Sequence, residues 1–406
     1  VTRARAAAIV AVMAFAWLLV LSSWMAGTDD GRALLRDDRF FGTDTGSFLR
    51  RVVSRPAPVL PNFELATHPA AAHVWRGPGR LMATGVGVVV PGRQATVLAG
   101  RVLVALVAAI GVGSLVLTAL SLGLEGSRLW WLFAVYVLSS ANLVVSLPDY
   151  YGISQGLLST FFAAHVLSEG GRRRALLTGL GVLIAATTIS NVVLPLMTAA
   201  YAGIRSRLLR VLAGVLLIVS APAALFALAW LPAVVPARAE TFVMDLTRYT
   251  SAFTRKAEYG SMVEDAAFST VSPIVAAPAA LRMSRRQTAI GFDSRRLLHR
   301  YSLPVLIPAL AWMGLLVASA QAAGEKARRP HLRLLAGWIA FNLIFHAVWG
   351  EDPFLYASHW SWALFGIVLL GAGRLPGAFV AATCLAVLAG QIYLLAAFRR
   401  VVATLN

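Results

Sequence analysis

Apolar residues in this chain fall in unbroken runs, not in the narrow stripe of an amphipathic helix or the alternation of a half-buried strand. The runs cover residues 6–26, 98–122, 129–147, 153–167, 211–235, 303–322, 334–348, 356–371 and 377–398, with a longer one at 175–201. A helix of about 17–25 such residues crosses a hydrocarbon core about 30 Å thick. The run 175–201 is too long for one simple span and is interrupted by Ser190-Asn191 and by Pro195. It predicts two helices meeting near Asn191, since backbone freed at a break has to be satisfied inside the protein. The count comes to about ten or eleven spans. The fold class expected is an all-α integral membrane protein, a single polytopic domain over residues 1–406.

Two polar stretches separate the runs. Residues 27–96 form a first long loop and residues 236–301 a second, Arg-rich one that predicts amphipathic helices lying on the bilayer surface. The first apolar run, with Arg3 and Arg5 before it, resembles a signal peptide. It is long, however, and no small-x-small cleavage site follows it, so it is read as a retained anchor.

Composition supports this pattern. Apolar residues make up 58% of the chain and charged residues 13%, with a mean hydropathy of +0.73. Soluble domains carry about 25% charged residues, so a surface this poor in charge has to face lipid. The formal charge of +18 comes almost wholly from arginine, because Lys256 and Lys326 are the only lysines. The arginines cluster beside apolar runs, at Arg3 and Arg5, Arg172 to Arg174, Arg205 to Arg210 and Arg328 to Arg333. Such placement fits cytoplasmic flanks and anionic lipid headgroups better than it fits nucleic acid. It puts the N-terminus in the cytoplasm and residues 27–96 and 236–301 outside, provided that the run 175–201 crosses twice. The same path leaves Arg399-Arg400 outside, against the rule. The single cysteine, Cys384, allows no internal disulfide and reads as a small packing residue.

Residues with chemistry lie near the ends of the runs. The first loop holds Asp37, Asp38 and Asp44, then Glu64, His68-Pro69 and His73. Composition alone favours a solvated loop whose acids pair with Arg36, Arg39, Arg50 and Arg51. Asp44 stands apart, because Phe40, Phe41 and Gly42 press its segment toward the membrane, where desolvation raises a carboxylate toward the range of a working base. The turn Pro148-Asp149-Tyr150-Tyr151 reads as a Pro-Asp turn with interfacial tyrosines. In the segment from Trp349 to Trp360, Glu351 and Asp352 head a span with Tyr356 and His359 one turn deeper. An ionisable group at that depth requires a partner or a function. His165 and His346 are lone intramembrane histidines, and an interhelical hydrogen bond is expected for each. No phosphate-binding Gly-Lys-Ser/Thr loop, dinucleotide fingerprint or Cys/His metal-ligand spacing occurs, which argues against ATP-driven transport and names no metal ligands, while participation of a divalent metal is not decided by the sequence.

Five of these motifs, taken in order, resemble the GT-C superfamily of polytopic membrane glycosyltransferases. The likeness is to a bacterial group distantly similar to protein O-mannosyltransferases and aminoarabinose transferases. The motifs are Asp44-Thr45, His68-Pro69-Ala70, Pro148-Asp149-Tyr150, Ser190-Asn191-Val192 and the segment from Gly350 through Glu351, Asp352, Tyr356 and His359 to Trp360. The chain departs from that pattern where Ala70 replaces Leu, Asp149 replaces Glu and Val192 replaces Trp. The resemblance implies transfer of a sugar from a polyprenyl-phosphate donor to a hydroxyl of a glycan, lipid or protein, at the outer face of a bacterial inner membrane. It implies Asp44 as base and His68 as a catalytic partner. Arg50, Arg51, Tyr356 and His359 would hold the donor phosphate, with Glu351 orienting His359 and Asp149, Asn191 and Asp352 in support. Two rivals share the architecture: a transporter or flippase for a lipid-linked sugar, and a scaffold subunit without activity.

Overall fold

The computed structural model describes residues 2–26, 45–54, 68, 70–90, 92–168, 170–203, 269–275, 303–325, 328–349 and 355–404. Regular structure among them is helical throughout. The principal helices are α1 Arg3–Ala26, α2 Ala71–Gly87, α3 Arg93–Ser121, α4 Ser127–Val137, α5 Ala141–Val145, α6 Tyr150–Leu167, α7 Gly170–Thr187, α8 Val193–Gly203, α9 Leu303–Ala322, α10 Arg329–Trp349, α11 Ser361–Gly371 and α12 Gly377–Thr404. Among the described residues, four stretches are long and apolar enough to cross a membrane: Arg3–Met25, Arg93–Ser121, Val305–Ala322 and Gly377–Arg400. Their outward faces stay apolar, with Val12 65%, Leu310 63% and Ile392 61% exposed. A belt of large exposed aliphatic side chains is what a lipid-facing surface presents.

Contacts between helices show which ends lie together. Arg101 of α3 donates to Leu19 O (3.2 Å) and to Ser23 Oγ of α1, while Gly113 of α3 lies against Ala7 and Ala11. The two helices are therefore antiparallel. α3 and α6 run parallel, meeting where a Cβ on Gly111 would come within 2.7 Å of Gly156 Cα. Small residues at such a crossing let two backbones touch. At one end, Arg128 of α4 donates to Gly373 O (2.8 Å), Arg328 to Leu122 O (2.9 Å) and Leu370 O, and Arg374 to Ala322 O (2.9 Å) and Glu325. This arginine end gathers the final carbonyls of α3, α9 and α11, the groups a helix leaves without partners. At the opposite end, the C-terminal part of α12 meets that of α1 through Trp24 and Phe398, 5.5 Å apart. Arg399 and Arg400 directly follow Phe398 within α12, so they lie away from the arginine end.

The long run 175–201 is two helices, α7 and α8, joined by the 3-10 turn Ile189–Val192, so its break falls at Asn191. A second break was not expected. Residues 138–140 interrupt the run 129–147 between α4 and α5. Asn142 bends back and donates to Tyr136 O (2.9 Å) and Val137 O (2.7 Å), capping the carbonyls that α4 leaves free.

Residues 269–275 differ from the expectation for their loop. They do not lie on a bilayer surface: Ser272, Ile274 and Val275 are fully buried beside the 138–140 break. Their backbone is taken up by side chains and amides from four directions. Trp360 Nε1 donates to Ser269 O (2.8 Å), Trp312 Nε1 to Thr270 O (3.1 Å), Ala141 N to Pro273 O (2.9 Å) and Gln391 Nε2 to Ile274 O (2.7 Å). Irregular backbone survives inside a helical bundle only when the protein meets its hydrogen bonds in this way. The rest of residues 236–301, and residues 27–44, 55–67, 69 and 91 of the first loop, lie outside the described residues.

Candidate functional site

The break between α7 and α8 sits against the segment that follows the first loop. Thr188 adopts an extended conformation that ends α7 and leaves Thr187 O without an intrahelical donor. His68 fills the gap, with its Nδ1 2.7 Å from Thr187 O and 3.3 Å from Thr188 Oγ1. Trp75 Nε1 donates to Thr187 Oγ1 at 2.9 Å, and Ala70 N donates to Ala186 O at 3.1 Å. Ser154 of α6 reaches Thr188 Oγ1 at 3.1 Å, so α2, α6 and α7 meet at one turn.

The Pro148-Asp149-Tyr150 turn closes one side. Tyr150 stacks on the His68 ring with centroids 4.2 Å apart, and Phe48 packs edge-on to Tyr150 at 5.1 Å. Asp149 is buried as the N-cap of α6, its carboxylate accepting from Tyr150 N. That is a favourable place for a carboxylate, at the positive pole of the helix. Residues 45–53 dock here as a short helical segment, with Phe48 and Leu49 against Gly100 and Pro148. Arg50 and Arg51, both expected at a phosphate, are separated by the structure. Arg51 is 7% exposed and close enough to His68 to bear on its charge, whereas Arg50 is exposed.

The segment containing Tyr356 and His359 closes the other side. His359 was expected inside a span, but it ends the 3-10 helix Leu355–His359 that precedes α11. Two indoles fix its backbone: Trp338 Nε1 and Trp362 Nε1 each donate to His359 O at 2.7 Å. The side chain lies 5.6 Å from the Tyr151 ring, and Tyr356 lies 5.9 Å from the same ring. His346, near the end of α10, stacks on Tyr356 at 4.2 Å and stands 5.9 Å from His359. His359 and His68 are near enough that two protonated imidazoles would repel.

The hydrogen bonds set the protonation of His68. A carbonyl can only accept, so Nδ1 carries the proton and Nε2 keeps its lone pair. Burial lowers the pKa of His68 to about 4, with the backbone bond to Thr187 opposing and Arg51 adding to the fall. The ring is neutral at pH 7 and offers Nε2 as a proton acceptor. Around it lie polar atoms with no hydrogen-bond partner among the described residues: both amide atoms of Asn191, which is 1% exposed, Ser358 Oγ and His359 Nδ1. A buried amide left unpaired costs about 1–3 kcal/mol, so its persistence points to a ligand or water that completes it.

The structure thus gathers His68, Asp149, Asn191, Arg51, Tyr356 and His359 from four distant parts of the chain, and it sets Arg50 apart. Asp44, Glu351 and Asp352 lie outside the described residues. No group of metal-ligating residues forms among those described. Thr187 and Thr188 belong to the cluster but were not singled out from sequence, and His346 and Tyr150 were noted there without a role at the site. The polar run from Thr187 to Asn191 inside an apolar segment was the available signal for the threonines. Of the two lone histidines, His165 makes the expected interhelical hydrogen bond, with Arg173 at 2.8 Å. No family model, curated protein or solved structure matches this chain.

Proposed function

We propose that this chain is a polytopic membrane glycosyltransferase of the GT-C type. In this reading, about ten or eleven spans cross the membrane and the His68 cluster faces the extracytoplasmic side. The enzyme moves a sugar from a polyprenyl-phosphate donor to a hydroxyl acceptor. The observation that carries the reading is the set of unpartnered polar atoms on Asn191 and His359, buried beside a neutral His68 whose Nε2 is free to take a proton.

The acceptor oxygen attacks the anomeric carbon, the bond from that carbon to the phosphate oxygen breaks, and the polyprenyl phosphate leaves with the electron pair. Asp44 takes the acceptor proton, with His68 Nε2 as the neighbouring acceptor. Arg51 offsets the negative charge that grows on the leaving phosphate, with hydrogen bonds from the Asn191 amide and from His359. Asp149 positions Tyr150, and through it His68, by capping α6.

The test uses the full chain in lipid nanodiscs. Polyprenyl phosphate binds the wild type, and Asn191→Ala and His359→Ala weaken that binding at least tenfold. Asp44→Asn keeps the binding but loses release of polyprenyl phosphate from polyprenyl-phosphate hexoses. Wild-type binding in both the Asn191 and His359 variants would sink the reading.

A further inference from the structure

At the arginine end, α6, α7 and α10 bring basic side chains to the end of α8, and no described carboxylate pairs with those of α7 or α10. Arg172, Arg173 and Arg174 occupy the first turn of α7, and His331 and Arg333 open α10. Neither helix carries an acid in its first turn. Both therefore place cations at their positive poles, the unfavourable arrangement for a helix dipole. Arg173 Nη2 holds His165 Nδ1 at 2.8 Å, and the His331 ring meets His165 edge-on at 5.1 Å. Arg173 bears on both imidazoles, and Arg333 bears on Tyr201 near the end of α8.

Several donors in this corner are unused. His331 Nδ1 is buried with no hydrogen-bond partner among the described residues. Arg172 and Arg174 are exposed, and no described carboxylate pairs with them or with Arg333. The ion pair of Glu325 goes to Arg374 instead. Glu169, which precedes α7, lies outside the described residues. Arg173 and the two imidazoles meet at this corner, and the exposed Arg172, Arg174 and Arg333 flank it at the same end of the bundle, so together they form a basic patch for an anion of phosphate type. Its position at the charged flank of a bundle with apolar outer faces selects the source, since basic pockets between membrane helices take lipid headgroups there.

We propose that the corner formed by Arg172, Arg173, His331 and Arg333 is a binding site for the phosphate headgroup of an anionic phospholipid. It lies at the end of the bundle remote from His68, and it stands or falls independently of the transferase reading. A lipid seated here ties the start of α7 to the start of α10 and so braces the α7–α8 hairpin from below.

The experiment measures binding of phosphatidylglycerol to the full-length protein in a neutral detergent by native mass spectrometry. Phosphatidylcholine and inorganic phosphate serve as comparison ligands. Phosphatidylglycerol binds and phosphatidylcholine does not. Arg172→Gln and Arg333→Gln, both exposed positions that leave the fold intact, each weaken binding roughly fivefold. Arg5→Gln, which removes a charge from the same end but away from this corner, leaves binding unchanged. Equal binding of phosphatidylcholine, equal losses in Arg5→Gln, or no loss in the two corner variants would overturn the proposal. Inorganic phosphate binding as tightly as the lipid would overturn it too, by making this a site for a free anion.

Discussion

Among the described residues two of the apolar runs are interrupted, and the two breaks leave different polar groups over. At residues 138–140, between α4 and α5, the carbonyls freed by the break are capped by Asn142, and residues 269–275 press against it with their own backbone satisfied by Trp312, Trp360 and Gln391. At residues 188–192, between α7 and α8, the backbone is satisfied as well, with His68 Nδ1 at Thr187 O, but Asn191 is left with both amide atoms unpartnered among the described residues. Both breaks leave buried side-chain atoms without a partner among the described residues: the hydroxyls of Ser139 and Ser272 and Gln391 Oε1 at the first, and the whole amide of Asn191 at the second. A helix interruption in a bundle is therefore not a functional sign on its own. What distinguishes the two is what remains unpaired: single oxygens at the first break, on residues whose neighbours are spent on backbone, and at the second a complete amide on the turn that His68 caps.

That contrast can be broken by mutation, and the largest effect belongs at the second break. Replacing His68 by Asn removes the lone pair at Nε2, and turnover of a polyprenyl-phosphate sugar falls by about 10²–10⁴-fold while the thermal midpoint moves little. Unchanged turnover would show His68 to be a packing residue. The first break responds in the opposite sense. Gln391→Leu deletes the bonds to Val135 O and Ile274 O and leaves two buried carbonyls unpaired. Stability drops by about 1–3 kcal/mol in a denaturant titration, with activity per folded molecule retained.

Asn191→Leu sharpens the comparison. It removes an amide that finds no partner among the described residues, so stability holds or rises by up to about 1 kcal/mol, while binding of polyprenyl phosphate is lost. A drop in stability comparable with that of Gln391→Leu would place both breaks in the same class.

The smallest effect is on pH dependence. The folded pKa of His68 lies at about 4, below the unfolded value of 6.5. Between those two values the unfolded chain takes up a proton that the folded one refuses. Stability from this group is thus fully present above pH 6.5 and declines as the pH falls toward about 4. Wild type should lose more stability than His68→Asn across that window, and parallel pH curves would assign the effect elsewhere.

The sequence showed some of this directly and concealed the rest for identifiable reasons. Long apolar runs forecast the helices, because lipid imposes a length and a composition on anything that spans it. The interruption at Asn191 was visible because Ser190-Asn191 and Pro195 stand out in an apolar run. The interruption at 138–140 was not, since Ser139, Ser140 and Asn142 are flanked by enough valine and leucine to read as one continuous span. The burial of residues 269–275 had no local signal, because the groups that accept it (Trp312, Trp360 and Gln391) lie far along the chain. For the site, residue types were readable and depth was not. His359 belongs to a 3-10 turn before its helix because two indoles hold its carbonyl. Arg50 and Arg51, identical in sequence terms, face different surroundings because the helical segment 45–53 is buried at every position except Arg50.

The guanidinium clamps at the arginine end have a consequence for how the chain is made. Arg128, Arg328 and Arg374 take the terminal carbonyls of α3, α9 and α11 or of the turns that follow them. Arginines in short flanking turns also tell the insertion machinery which side of the membrane a segment belongs on. One set of residues thus serves both topogenesis during synthesis and latching of the helix ends afterwards. Replacing Arg328 by Gln would act twice, once in the nascent chain as a weaker retention signal and again in the assembled bundle as two unlatched carbonyls. A lysine in its place would keep the first role and, lacking the planar fork, fail at the second.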